Sequence, residues 1–194
     1  METKPTLILA SASPRRHDLL TAAGIPHTEL TADTDESLPE GITPEEAVQL
    51  LSAKKAAAVL PLVPAGTPVL AADTVVALDG VILGKPKNEA DAFSMLSSLS
   101  GRIHTVYTGV TVTDGTKTVT SFAATAVHMR PLSEAEITAY IKTGEPMDKA
   151  GAYGIQGRAV FFVTRIVGDY ANVVGLPLSL VGEILSREFS YPLF

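Results

Sequence analysis

Two long β-prone runs, Ile103–Thr113 and Thr118–Met129, are rich in valine and threonine and flank the pair Asp114-Gly115. Asp-Gly between such runs is the signature of a tight hairpin, so the middle of the chain is committed to antiparallel pairing. A second pair, Asp79-Gly80, turns the run Val69–Leu78 back into Val81–Leu83. Before these hairpins the pattern alternates. Residues 6–10 read as a buried first strand, and Ser13-Pro14 then starts a helix, with Ser13 as N-cap and Pro14 at the first helical position. Leu19, Leu20 and Ala23 mark its inward face, and Gly24 stops it. Thr43 and Glu46 have capping-box spacing and open a second helix to about Leu60. Asn88 caps a third helix, Glu89–Leu99, and Ser133-x-x-Glu136 opens a fourth that ends near Gly144. Residues 160–167 read as a last strand and 177–188 as a last helix. Helix–strand alternation followed by hairpins predicts an α/β fold with a mixed sheet. No repeat, low-complexity segment or long linker divides the 194 residues, so 1–194 is read as a single domain.

Composition narrows the function. The chain has no cysteine, which excludes disulfide scaffolds, thiolate zinc sites, iron–sulfur clusters and a Cys nucleophile. A net charge of −6 argues against a nucleic-acid polymer as partner. No apolar run reaches the ~18 residues of a membrane span. The segment 1–5 lacks the charged-then-apolar pattern of a secretory leader, so a cytoplasmic location is expected.

The first strand-to-helix turn carries Ser11, Ser13, Arg15 and Arg16. A helix N-terminus offers free N–H groups and partial positive charge, and two arginines added there call for a compensating anion such as phosphate. Asp73 sits inside an apolar strand, where an unpaired carboxylate is expensive. It reads either as a strand-edge residue facing water or as a metal ligand or general base. The acidic stretch Asp33-Thr34-Asp35-Glu36 is either a solvated loop or the source of a second carboxylate. Lys85, after the 79–80 hairpin, and Lys54 and Lys55 on the second helix are either surface lysines or phosphate partners. In the glycine-rich segment 144–157, backbone can approach a ligand closely, Gln156 offers an amide for a base edge and Tyr153 offers a ring. The histidines, His17, His27, His104 and His128, show no metal-ligand spacing and are read as surface or strand residues. Ser11 and Ser13 have no recognisable His–Asp partners, which disfavours a hydrolase triad. Phosphate donors, a basic cluster and a carboxylate pair together describe a phosphoanhydride site.

These residues resemble the Maf family. The resemblance rests on Ser11-Ala12-Ser13-Pro14-Arg15-Arg16, Ala72-Asp73-Thr74, Gly84-Lys85-Pro86, Ser100-Gly101-x-x-His104-x-Val106-x-Thr108-Gly109, the segment from Asp148 to Gly157, and Gly175-Leu176-Pro177. It implies a two-lobed fold like that of the inosine-triphosphate pyrophosphatases, with a cleft between the lobes. It further implies hydrolysis of a nucleoside triphosphate between the α- and β-phosphates. By the same resemblance Asp73 is the catalytic carboxylate, and Arg15, Thr74 and Gln156 match the positions that set base preference in the branch acting on dTTP and UTP. Ser13, Arg16, Glu36, Lys55 and Lys85 match other cleft positions, with Glu36 and Asp73 holding a divalent cation, Mg²⁺ or Mn²⁺. A homodimer is implied as well. The family's 7-methyl-GTP branch lacks the Pro-Arg-Arg, Asp-Thr and Ile-Gln-Gly combination present here, so the resemblance implies the dTTP/UTP branch, with 7-methyl-GTP as the nearer alternative. A non-enzymatic nucleotide-binding regulator of septum formation is the more distant one.

Overall fold

The computed structural model describes residues 6–194, so segment 1–5, which carried the reading on a leader, lies outside the described residues. The chain runs β1 (Leu7–Leu9), α1 (Pro14–Ala22), β2 (His27–Glu29), α2 (Pro44–Val59), β3 (Val69–Leu78), β4 (Val81–Leu83), α3 (Glu89–Leu99), β5 (Ile103–Thr113) and β6 (Thr118–Met129). It continues through α4 (Glu134–Ile141), β7 (Val163–Val167), α5 (Tyr170–Val174) and α6 (Leu178–Phe189). All the strands belong to one mixed sheet in the order β2-β1-β3-β5-β6-β7, with β4 also pairing with β3. β1 pairs in parallel with β2 and β3, and the remaining pairs are antiparallel. No helix among the described residues is long and apolar enough to cross a membrane.

Local chemistry sets most boundaries. Both capping boxes form: Thr43 with Glu46 starts α2, and Ser133 with Glu136 starts α4. Asn88 accepts from Asp91 N–H to start α3. Ser13 takes the N-cap conformation of α1 but makes no side-chain cap. The buried face of α1 is Arg16 and Leu20, one turn apart, whereas Ala23 lies exposed beyond the helix. The expected last strand begins only at Val163, because pairing with β6 starts at Met129↔Val163, beside a register shift at His128/Met129. Residues Arg158–Phe161 instead form a 3₁₀ turn, and its β-prone Val160 and Phe161 face solvent. β2 and α5, of three and five residues, were not anticipated.

Strand β3 organises the interior. Its residues 70, 72, 74, 76 and 78 share one face by alternation. Leu70 and Ala72 join a core with Leu7, Leu9, Leu20, Val110, Leu176 and Leu185, under α1 and α6. Val76 and Leu78 join another with Leu96, Leu99, Val127 and Ile137, under α3 and α4. On the opposite face Val69 and Ala71 pack on Ala56 and Val59 of α2. The two lobes are therefore two cores strung along the same strands, and they meet at Thr74. α2 lies so close to β5 that a Cβ at Gly109 would stand 2.2 Å from the carbonyl oxygen of Val48. Only glycine permits that approach.

Candidate active site

The cleft follows from strand pairing. β1 pairs with β3 at Val69 and Leu70, and β4 joins the same edge only from Val76. Between them 71–75 has one edge without a partner strand, while β5 covers the other. Asp73 and Thr74 point to opposite faces of the strand, yet both open into this gap. The result is a cavity of about 920 Å³. Ser13, Arg15, Arg16, Glu36, Lys55, Asp73, Thr74, Lys85 and Gln156 all line it.

On the α2 side, Lys55 Nζ lies 2.5 Å from Asp73 Oδ1 and 2.8 Å from Glu36 Oε1. Two carboxylates thus face a common point that a positive charge already occupies. The Lys55 hydrogen bond holds the Glu36 carboxyl below its usual range, against the opposing effect of partial burial, and Lys85 and Arg16 push it the same way as Lys55. Lys54, one position earlier on α2, instead donates to the carbonyls of Asp35 and Ser37. It pins the acidic loop so that Glu36 reaches Lys55.

On the opposite side Arg16 is buried. Its Nε donates to the Gly175 carbonyl at 2.7 Å, Nη1 to Ser11 Oγ at 3.1 Å and Nη2 to Thr74 Oγ1 at 3.1 Å. Burial lowers its pKa, and the facing Asp73 charge pulls it back up. Thr74 Oγ1 continues to Thr108 Oγ1 at 2.9 Å, and Thr108 donates to the carbonyl of Asn172 at 3.0 Å. Asn172 Nδ2 in turn donates to the Val106 carbonyl and to Thr125 Oγ1. The arginine pair therefore divides: Arg16 is fixed by protein acceptors, which answer part of the charge that the sequence argument assigned to an anion. Arg15 is only half-buried and stands nearer the solvent side.

The glycine-rich segment forms the far rim. Gln156 is exposed there, as a base-reading amide requires. Tyr153 also lines the cleft, but it is largely buried and its hydroxyl meets His104 Nε2 at 2.7 Å, so it anchors the rim to β5 as well. Glu145 holds the same rim through Tyr140 Oη at 2.8 Å and the Arg158 N–H at 3.0 Å. Asp148 and Lys149, paired at 2.6 Å, also line the cleft and had been assigned no role. They open the 148–157 segment on which the family resemblance rests, but adjacent opposite charges on a turn do not by themselves indicate a role.

Asp73 and Glu36 converge as two carboxylate ligands on one point, and Arg15, Arg16, Lys55 and Lys85 line the same cavity as its cations. The donor set fits Mg²⁺ or Mn²⁺, which favour carboxylate oxygen, and the Lys55 ammonium shows that the position is one where positive charge is favourable.

Residues 6–188 match the Maf-like protein family. The chain is 49% identical to the dTTP/UTP pyrophosphatase of Symbiobacterium thermophilum, over 97% of this chain and 96% of the relative. It is 53% identical to the dTTP/UTP pyrophosphatase of a Geobacillus species, over 89% and 92%. A solved Vibrio cholerae protein shares the fold at a TM-score of 0.50 and 12% identity, covering 98% of this chain and all of that one.

Proposed function

The chain belongs to the Maf family, and from that premise we propose that its cleft hydrolyses dTTP and UTP to the monophosphate and pyrophosphate. The observation that carries the reading is the meeting of Asp73, Glu36 and Lys55 in one cavity with Arg15, Arg16 and Lys85. A regulator that only bound nucleotide would need the cations but not two carboxylates converging beside them. Relatives that resemble this chain along nearly its whole length carry the dTTP/UTP name, which favours pyrimidine over 7-methyl-GTP.

The residues divide the work. Lys55 takes Oδ1 of Asp73, which orients the carboxylate and leaves Oδ2 to accept a proton from water attacking the α-phosphorus in line. Arg15, Lys55 and Lys85 stabilise the charge that develops on the departing pyrophosphate. Arg16, already committed to Gly175, Ser11 and Thr74, keeps two of its five N–H donors for a phosphate oxygen. Ser13 and the Arg15 N–H face the same tail, Pro14 having no N–H and those of Arg16 and His17 being turned onto the Ser13 carbonyl. Gln156 reads the base edge and Thr74 fixes the floor beneath it. A divalent cation held by Asp73 and Glu36 would neutralise phosphate charge and polarise the phosphoryl oxygens.

The same reading takes a nucleotide-hydrolysing enzyme of this family to work in the cytoplasm as a homodimer. The exposed apolar residues Val160, Phe161 and Val167, along and beside edge strand β7, support the latter. The test is pyrophosphate release from dTTP, UTP, CTP and 7-methyl-GTP, with and without Mg²⁺, by the wild type and Asp73→Asn in parallel. Asp73→Asn is expected to lose turnover while keeping its circular dichroism and melting temperature. Near-normal release from that variant at saturating Mg²⁺ overturns the assigned role, and preference for 7-methyl-GTP overturns the substrate.

A further inference from the structure

Outside the cleft, at the β2 edge of the sheet, three side chains converge that the sequence gives no reason to associate. His27 and Glu29 are two apart on β2 and so share a face, and α1 delivers His17 to that face. His17 Nδ1 lies 2.9 Å from Glu29 Oε1 and 3.0 Å from His27 Nε2. The three ligand atoms fall within 4.8 Å of one another, and among the described residues no other trio of His, Cys, Asp or Glu does so.

Hydrogen accounting makes the cluster informative. His27 Nδ1 lies 2.9 Å from the carbonyl oxygen of Ile25. A carbonyl only accepts, so Nδ1 carries the hydrogen and neutral His27 presents a lone pair at Nε2. His17 Nδ1 then faces that lone pair and a carboxylate oxygen together, with at most one hydrogen to share between them. Three electron-rich atoms are gathered around one proton, and a cation would satisfy all of them at once.

We propose that His17, His27 and Glu29 form a binding site for a divalent cation of the zinc class, separate from the cleft and independent of the pyrophosphatase reading. Two imidazole nitrogens and one carboxylate oxygen are a borderline donor set, suited to Zn²⁺ and its transition-metal neighbours and unlike the all-oxygen pair at Asp73 and Glu36. The bond from His27 to the Ile25 carbonyl is the kind of outer contact that fixes the ring of a ligating histidine. Tetrahedral bonds of about 2.0–2.1 Å set ligand atoms ~3.3 Å apart, so the two short contacts open by a few tenths of an ångström while the third pair, within 4.8 Å, closes by up to ~1.5 Å. The side chains of His17 and Glu29 are 47% and 43% exposed, which gives them that freedom and leaves water access to a fourth position. A bound ion would fasten α1, whose first turn carries Arg15 and Arg16, to the edge strand.

The test is calorimetric titration of the untagged full chain with Zn²⁺ alone, in excess Mg²⁺ to occupy the oxygen sites. The expected result is one tight equivalent, weakened at least ~tenfold by His17→Gln together with His27→Gln, with an imidazole-ligated Co²⁺ absorption band in the wild type only. Glu29→Gln, on an exposed side chain, serves as the second variant should the double variant fail to fold, and it is expected to weaken binding in the same direction. Equal affinity in wild type and variants overturns the proposal. So does a wild type that binds no Zn²⁺, which would leave the cluster an imidazole–carboxylate ion pair.

Discussion

The burial of His104 makes the stability of the enzyme depend on pH in a way that can be calculated. His104 is 2% exposed on β5. Burial, helped by the nearby charge of His128, lowers its pKa from 6.5 to about 4. The folded state therefore keeps His104 neutral while the unfolded chain takes up a proton below pH 6.5. The contribution is complete above pH 6.5, is lost as pH falls toward 4, and does not change further below that. At roughly 1.4 kcal/mol per pH unit the loss is about 3 kcal/mol. The comparison is between wild type and a chain carrying His104→Leu with Tyr153→Phe, which removes both hydrogen-bonding partners and stays close to wild type near pH 7.5. Urea unfolding followed by circular dichroism, at fixed ionic strength from pH 8 to pH 4, gives two stability curves. Other titrating groups are common to both and cancel in the difference. The difference, small near pH 7.5, is expected to open to about 3 kcal/mol in favour of the variant by pH 4. Parallel curves would refute the claim that this buried imidazole resists protonation.

Two further substitutions probe the scaffold. Gly109→Ala forces a methyl group against the Val48 backbone, and it is expected to lower unfolding free energy by at least about 2 kcal/mol in urea titration, with pyrophosphatase activity falling because α2 carries Lys55. Arg16→Lys keeps the charge but loses the fork that reaches Gly175, Ser11 and Thr74 together; a loss of about 2–4 kcal/mol in stability is expected, along with reduced kcat for dTTP, and unchanged values of both would show that the network does not depend on the fork.

What was legible in the sequence is what is locally determined. Capping boxes at Thr43 and Ser133 and the hairpin at Asp114-Gly115 act within a few residues, and the corresponding elements are where the pattern puts them. β2 is a three-residue strand with exposed or half-exposed side chains, and it exists because β1 offers it a parallel edge. Nothing in its composition announces that. Val160 and Phe161 have strand-like side chains but no partner strand, so position overrode propensity. At the site, Asp73 and the arginines stood out because charge in those places is costly without compensation. Glu36 did not, because its position depends on Lys54 gripping the loop from another element. Tyr153 was legible as a ring near a ligand, but its inward orientation is decided by His104, forty-nine residues away.

The unpaired stretch of β3 has a consequence for how a nucleotide enters. Because β3, β5 and β6 run without interruption beneath both cores, the two halves of the molecule cannot swing apart like domains joined by a linker. The base of the pocket is as stiff as a sheet, and whatever adjusts to a ligand must do so in the acidic loop before α2 and the glycine-rich segment after α4. Ordering those two walls, and not rearranging the floor, is then the main conformational entropy that the protein itself gives up on association. Selectivity among nucleotides would evolve by editing loops while Asp73 stays in register on β3.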